Sequence, residues 1–323
     1  MKEKILLIGK TPPPIGGVSV FVLRYYNKLS KDGFPTTLFP NNKSSNFIIL
    51  IKLLFNSYDR IVLNTMSFPV LIFLFISFNL KKVELVDHNH SRKFKSDFKT
   101  KIILHIISKV KRINLVDEHL KLNYPQGFFD FEVINPFIEP TEDEVLIAKK
   151  KLPIDVSELF DRTDKVFIIS AWKLILEEGS ELYGIERTCN VFEKLLISYP
   201  NIGLIVCIGD PNENIFLLNR IKSKVGNLSN IIFWENCSTS WNLFSEKTIY
   251  LRPTSTDGNS ISIHEAIFYN SAVIASDVVP RPPDCVIFEY NNNSDYIKKI
   301  KLQLETKNET NTTKHIKRGN FTR

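Results

Sequence analysis

Nothing in this chain pairs its cysteines. The four, Cys189, Cys207, Cys237 and Cys285, stand far apart with no C-x-x-C among them. That spacing indicates neither a zinc site nor a disulfide framework, and it fits small buried thiols in a reducing compartment. Long apolar runs are scarce too. The longest, residues 68–80, contains Pro69 and falls short of the ~20 residues that a membrane span needs, so it reads as a buried helix. The apolar stretch behind Met1 is too short for a signal peptide and reads as a first strand. A G-x-G-x-x-G fingerprint is missing, and Gly9-Lys10-Thr11 has no upstream glycine to make a P-loop. Zinc-finger spacing and an aromatic RNP-like strand are missing as well, so the net charge of +7 does not point to nucleic acid. An anionic ligand or an anionic membrane surface suits that charge better.

What is present is a globular composition, 43% hydrophobic and 24% charged, over 323 residues. At ~100–200 residues per domain that is room for about two. Residues 4–8 form an apolar strand, followed by Gly16-Gly17 and a helical spacing of Val18, Phe21, Val22, Tyr25 and Leu29. Helices over 47–55 and 68–80 then alternate with strands over 60–63, 83–86 and 113–116. Residues 131–134 with Asn135-Pro136 end the first half, and the charged, helix-prone residues 139–163 read as a connection. The pattern restarts with strands at 165–169, 202–208, 230–234, 249–251, 272–275 and 286–288, with helices between them and a last helix at 296–304. Alternation of this kind predicts an α/β fold of two Rossmann-like domains with parallel sheets. The expected division is 1–140, a linker at 141–163, a second domain at 164–304 and a polar tail at 305–323. The crevice between two such domains is a favoured ligand site.

One stretch concentrates the chemistry. Residues 252–258 make a polar loop after a strand, and Asn259 or Ser260 can cap a helix beginning near Ile261. Asp257 and Glu265 frame that turn. A loop feeding a helix start presents free N–H groups and the positive end of the helix dipole, which suits a diphosphate. Two plainer readings stand beside it: Asp257-Gly258 as an ordinary turn pair, and Ser262 with Glu265 as a capping box. Upstream, Gly16 and Gly17 let backbone approach a ligand at a helix start. His88 and His90 follow the strand 83–86 at a carboxyl edge, where ligands bind. They suit sugar hydrogen bonds or proton transfer, and no third ligand accompanies them for a metal. Lys173, after strand 165–169, can neutralise a phosphate. From Arg92 to Arg112 the basic residues interleave with apolar ones at helical spacing, as in a helix for an anionic membrane surface or a surface helix packed on the core.

Residues 4–8, Gly16-Gly17, residues 134–136, Gly184-Ile185, residues 204–209 and above all Asp257-x7-Glu265 with residues 272–277 resemble the family-four retaining glycosyltransferases of GT-B fold, in particular bacterial surface-polysaccharide transferases. The resemblance runs from about residue 4 to about 300. It implies metal-independent transfer of a hexose, with retention, from a nucleotide sugar (UDP- or GDP-linked) to a glycan or lipid-linked acceptor, with no further cofactor. The unpaired thiols and the basic stretch from Arg92 to Arg112 predict a cytoplasmic protein, peripheral on the inner face of the membrane. On the resemblance, Asp257 meets the donor sugar, Glu265 the ribose hydroxyls, and the backbone of Gly258, Asn259, Ser260 and Ile261 the diphosphate or sugar. Lys173 contacts phosphate, Gly16-Gly17 closes over the diphosphate, and His88 or His90 reaches the transferred sugar. The chain departs from the pattern in three places: the first acid is Asp, Tyr183 stands where a basic residue is usual, and Pro280-Arg281-Pro282-Pro283 replaces a Gly-Gly pair. A sugar-nucleotide epimerase of the same fold and a catalytically inactive sugar-nucleotide-binding protein are the alternatives.

Overall fold

The apolar runs at residues 5–9, 60–63, 83–87 and 112–115 become strands buried along almost their whole length, which is why they read as continuous rather than alternating. The computed structural model describes residues 2–13, 16–41, 45–127, 129–177, 179–226 and 228–305. Strands β1 (Ile5–Gly9), β2 (Thr36–Pro40), β3 (Arg60–Leu63), β4 (Val83–Asp87), β5 (Arg112–Leu115) and β6 (Phe131–Val133) form one sheet in the order β2-β1-β3-β4-β5-β6. Every pairing is parallel, with Ile5 opposite both Thr36 and Arg60. The crossovers carry α1 (Gly17–Lys31), α2 (Ser45–Phe55), α3 (Phe68–Ile76) and α4 (Phe98–Ile107). Only the step from β1 to β2 runs the other way along the sheet, so right-handed crossovers leave α1 on one face. On the other, α2 packs against α3 and α3 against α4.

The second half repeats the plan. After α5 (Glu142–Lys150) and α6 (Ile154–Arg162) come β7 (Lys165–Ala171), a small antiparallel hairpin of β8 (Leu176–Glu177) and β9 (Ser180–Glu181), and α7 (Ile185–Ser198). Then follow β10 (Ile202–Ile208), α8 (Ile215–Val225), β11 (Ile231–Glu235), β12 (Thr248–Arg252), α9 (Ile261–Phe268), β13 (Ala272–Ser276), β14 (Cys285–Phe288) and α10 (Asn293–Glu305). The sheet order is β11-β10-β7-β12-β13-β14, again all parallel. Its order reverses between β7 and β12, and ligands bind beyond the strand ends at such a switch point. All four cysteines are unpaired thiols. Among the described residues no helix is long and apolar enough to cross a membrane.

Several elements differ from the sequence expectation. The basic helix expected from Arg92 to Arg112 is shorter. Ser91–Lys93 is a single 3-10 turn, and α4 starts only at Phe98, where the Asp97 carboxylate accepts the Thr100 N–H. Residues 141–163 fold as α5 and α6, and their Ala148, Val156 and Leu159 are fully buried in the core beneath the second sheet. The edge strand β2 went unread because its sequence, Thr-Thr-Leu-Phe-Pro, has no alternation and is only half-buried. Of the tail expected at 305–323, all but Glu305 lies outside the described residues.

One glycine fixes how α7 meets the strand-end loop of β12. Gly184 has φ +73°, and a Cβ there would lie 2.5 Å from the carbonyl oxygen of Pro253. Backbone strain and a backbone clash coincide. Gly184→Ala is therefore expected to lower the unfolding free energy by about 1–3 kcal/mol, read as a lower melting temperature. An unchanged melt would mean that α7 and Pro253 can part freely.

Candidate functional site

The two sheets turn their carboxyl edges toward each other, and a cleft of about 470 Å³ lies between them. From the first domain it receives Gly16, Gly17, His88, His90 and Arg92. From the second it receives Trp172, Tyr183, Arg252 and the run from Asp257 to Ser262, with Glu265. Of the sequence candidates only Lys173 is not among the lining residues. Its ammonium pairs instead with Glu213 at 3.0 Å.

Asp257 is neither a plain turn residue nor a free acid. Arg252 grips it in a fork, Nε to Oδ2 at 2.9 Å and Nη2 to Oδ1 at 3.0 Å, and Arg281 Nη1 adds 2.8 Å to Oδ2. The Asp257 side chain is 9% exposed and that of Arg281 2%. Burial alone would raise the carboxyl, but the two guanidinium groups outweigh it and hold it below the usual aspartate range. Arg281 comes from the Pro280–Pro283 segment, and it also donates to the Ser276 carbonyl at 3.0 Å. Arg252 lies over the Tyr183 ring, 5.2 Å from its centroid, so the position without a basic side chain carries a guanidinium on its face. Neither arginine was singled out from the sequence. The signal was present in Arg252 and Asp257, five apart across one loop, but nothing local marks Arg281 as their partner.

Two helix starts border this region and differ. At α7 the buried Glu181 carboxylate accepts the N–H groups of Tyr183 and Ile185. At α9 the N-cap Ser260 makes no side-chain cap bond, so that end presents its dipole to the cleft. Glu265 lies beyond the first turn of α9. Its Oε1 accepts from Arg24 of α1 at 2.8 Å, which replaces the capping-box reading. Burial raises its carboxyl, Arg24 pulls the other way, Glu144 adds to the rise, and the carboxyl is pushed up to about 7.

The two histidines of the cleft, His88 and His90, are both shifted toward the neutral form. Burial, with His90 nearby, pushes His88 down to about 3. Its Nε2 donates to Asn64 Oδ1 at 3.0 Å, which leaves Nδ1 as the acceptor. Burial lowers His90 also, although Asp87 opposes that effect. The His90 Nδ1 is buried, 3.9 Å from Asp87 Oδ1 and without a hydrogen-bond partner. Between the two, Asn89 has φ +82° and donates to the Asp257 carbonyl across the domain boundary at 3.0 Å. Asn259 crosses the other way, Nδ2 to the Val116 carbonyl at 2.7 Å, so its side chain joins domains. Trp172, whose ring lies where a Cβ on Gly209 would come within 2.2 Å, offers an aromatic face. No group of three or more His, Cys, Asp or Glu side chains is placed to hold a metal ion among the described residues.

No protein-family model matches the chain and no curated protein resembles it in sequence. Solved structures do match along nearly its whole length. Anabaena HepE in complex with UDP-glucose superposes with a TM-score of 0.66 at 12% identity, covering 93% of this chain and 90% of that one. A UDP-forming trehalose-phosphate synthase from Burkholderia xenovorans, in complex with glucose-6-phosphate, gives 0.67 at 10% identity over 94% and 93%. The fold is GT-B. In this GT-B chain the cleft thus lies at the facing carboxyl edges of two Rossmann-like domains.

Because Asp257 neutralises two buried guanidinium groups, its loss has a calculable sign. Asp257→Ala is expected to reduce stability at neutral pH by about 3–5 kcal/mol. A depressed carboxyl contributes fully above the ordinary aspartate value of 3.8 and loses its contribution as pH falls through its lower folded value. Chemical denaturation should therefore show the gap to wild type starting to narrow once pH falls below 3.8. A gap unchanged between pH 7 and pH 3 would contradict the pairing.

Proposed function

We propose that the chain is a retaining glycosyltransferase of the family-four kind. It moves a hexose from a nucleotide sugar to a hydroxyl of a glycan or lipid-linked acceptor in bacterial surface-polysaccharide synthesis. The observation that carries this reading is the two-sided cleft: neutral imidazoles on one wall, and an uncapped helix start with Arg252, Asp257 and Glu265 on the other. The neighbours of like fold hold UDP, UDP-glucose or a sugar phosphate, which supports a nucleotide-sugar donor.

In this reading the diphosphate lies against the first turn of α9, with Arg252 supplying the charge that Tyr183 lacks. As the C1–O bond to the diphosphate breaks, those groups stabilise the leaving anion. The acceptor oxygen bonds to C1 from the same face, and its proton passes to the departing phosphate oxygen. The Nδ1 lone pair of His88 accepts from a sugar hydroxyl, Glu265 holds the ribose hydroxyls, and Trp172 stacks on the base. No metal enters the scheme. Calorimetry with UDP-glucose and GDP-mannose as probes tests it. Binding of at least one is expected, and Glu265→Ala should weaken it about tenfold or more, the loss of a charged hydrogen bond. Unchanged affinity would leave Glu265 with only its interdomain pairing. Epimerised nucleotide sugar formed from donor alone would favour the epimerase instead.

The acceptor side supports a peripheral place on an anionic membrane. On the outer face of α2–α4, Phe55, Phe78 and Phe98 are 82%, 93% and 78% exposed, and Ile48, Ile51 and Leu54 continue the stripe along α2. None of the three helices contains an acidic residue. Lys52, Lys99 and Lys109 rim the face with their ammonium groups over the rings of Phe39, Phe68 and Phe75, so their stems cover apolar surface while their charge stays in water. An apolar patch with a cationic rim fits anionic lipid headgroups. The protein should float with vesicles of phosphatidylglycerol and not of phosphatidylcholine, and the triple change to glutamate at Lys52, Lys99 and Lys109 should abolish flotation. Equal binding to both lipids, or none to either, would remove the membrane from the proposal.

A further inference from the structure

Arg24 belongs to the first domain, on α1, yet its guanidinium ends among side chains of the second. Nη1 donates to Glu265 Oε1 at 2.8 Å and to the Ile138 carbonyl at 3.1 Å, and Nε donates to Glu144 Oε1 at 3.1 Å. The Trp241 ring lies 5.6 Å from the guanidinium carbon. The side chain is 2% exposed, and its Nη2 is buried with no hydrogen-bond partner. Glu144 is itself fixed, since its second oxygen accepts the Thr141 N–H in the capping box of α5. An arginine held this way from three sides has one orientation.

Glu265 faces Arg24 from α1, Glu144 from α5 and Tyr269 on its own helix, with Glu139 beyond. Of these only Arg24 favours the charged carboxylate. Burial and Glu144 oppose it. We propose that Arg24 is a positioning residue that completes the donor side of the cleft from across the domain boundary, aiming Glu265 and favouring its ionised form. The donor domain therefore does not carry a finished site by itself. The proposal rests on reading Glu265 as a donor contact.

The sign is definite. A carboxyl left buried without its cation becomes harder to ionise, so it is neutral at pH 7 and regains its charge only as pH rises further. A neutral carboxyl no longer accepts from two ribose hydroxyls as a carboxylate does.

Two measurements test this, one without any ligand. First, the side-chain carboxyl carbon of Glu265 is titrated by NMR, assigned with Glu265→Gln. Wild type should titrate near 7, as burial and Arg24 together set it. The Arg24→Met midpoint should lie more than about one pH unit higher, and that of Arg24→Lys close to wild type. An Arg24→Met titration that coincides with wild type would overturn the proposal, as would an Arg24→Lys curve displaced like that of the methionine variant. Second, UDP-glucose affinity is followed from pH 6 to pH 9. Arg24→Met should bind about fivefold more weakly at pH 7, because a midpoint moved up by about one pH unit cuts the ionised fraction of Glu265 from about a half to about a tenth. It should recover toward wild type at pH 9. A loss equal at every pH would mark a purely structural role and sink the proposal. If wild type itself ignores UDP-glucose, the donor reading for this sugar nucleotide fails, and the ligand-free titration alone decides whether Arg24 governs Glu265.

Discussion

Two loop backbones meet at the centre of the molecule, and the shape of the cleft depends on how closely they can approach. At Gly258 a Cβ would lie 2.9 Å from the Cβ of Asn89. Asn89 in turn takes a left-handed backbone that few residues adopt without penalty, and from there its amide reaches the Asp257 carbonyl. Each residue is specialised for the presence of the other. The histidines on either side of Asn89 and the acid before Gly258 are thereby brought to opposite walls of one small space. Val116 and Asn259 repeat the contact a short way off, so the approach has two points and cannot pivot freely about either.

The charge of the site is organised by arginines that are themselves held by acids. Arg252 and Arg281 share Asp257, and Arg24 is shared by Glu144 and Glu265. Burying such groups is unfavourable in isolation, and pairing offsets it only when the geometry is close and the remaining donors are satisfied. The fork of Arg252 on Asp257 meets that standard. The cluster at Arg24 does not fully meet it, because one nitrogen is left over. Fold stability alone would be better served by apolar side chains there, which is why the cluster is best understood through the site it borders.

Both sheets were readable because parallel strands covered on two faces leave unbroken apolar runs, and residues 4–8 and 202–208 are such runs. β2 was not readable: an edge strand of threonine, leucine and proline carries no such signal. The basic helix was overread because charge and apolar spacing continue through residues 92–112, whereas the backbone is helical only after the Asp97 cap. Within the site, Asp257 and Glu265 stood out from one short stretch. Their partners did not. Arg24 lies 241 positions from Glu265 in sequence, and no local pattern connects them. Lys173 followed the right strand but turned to Glu213, since being next to a carboxyl edge does not fix where a long side chain points.

The carboxylate of Glu181 has a meaning beyond its own helix. It seats an internal anion at the start of α7, and burial raises its carboxyl, with backbone N–H groups opposing that rise. The chain thus occupies one of its two neighbouring anion sites with itself. The α7 start is thereby closed to outside anions, whereas the α9 start, with no side-chain cap, stays open toward the cleft.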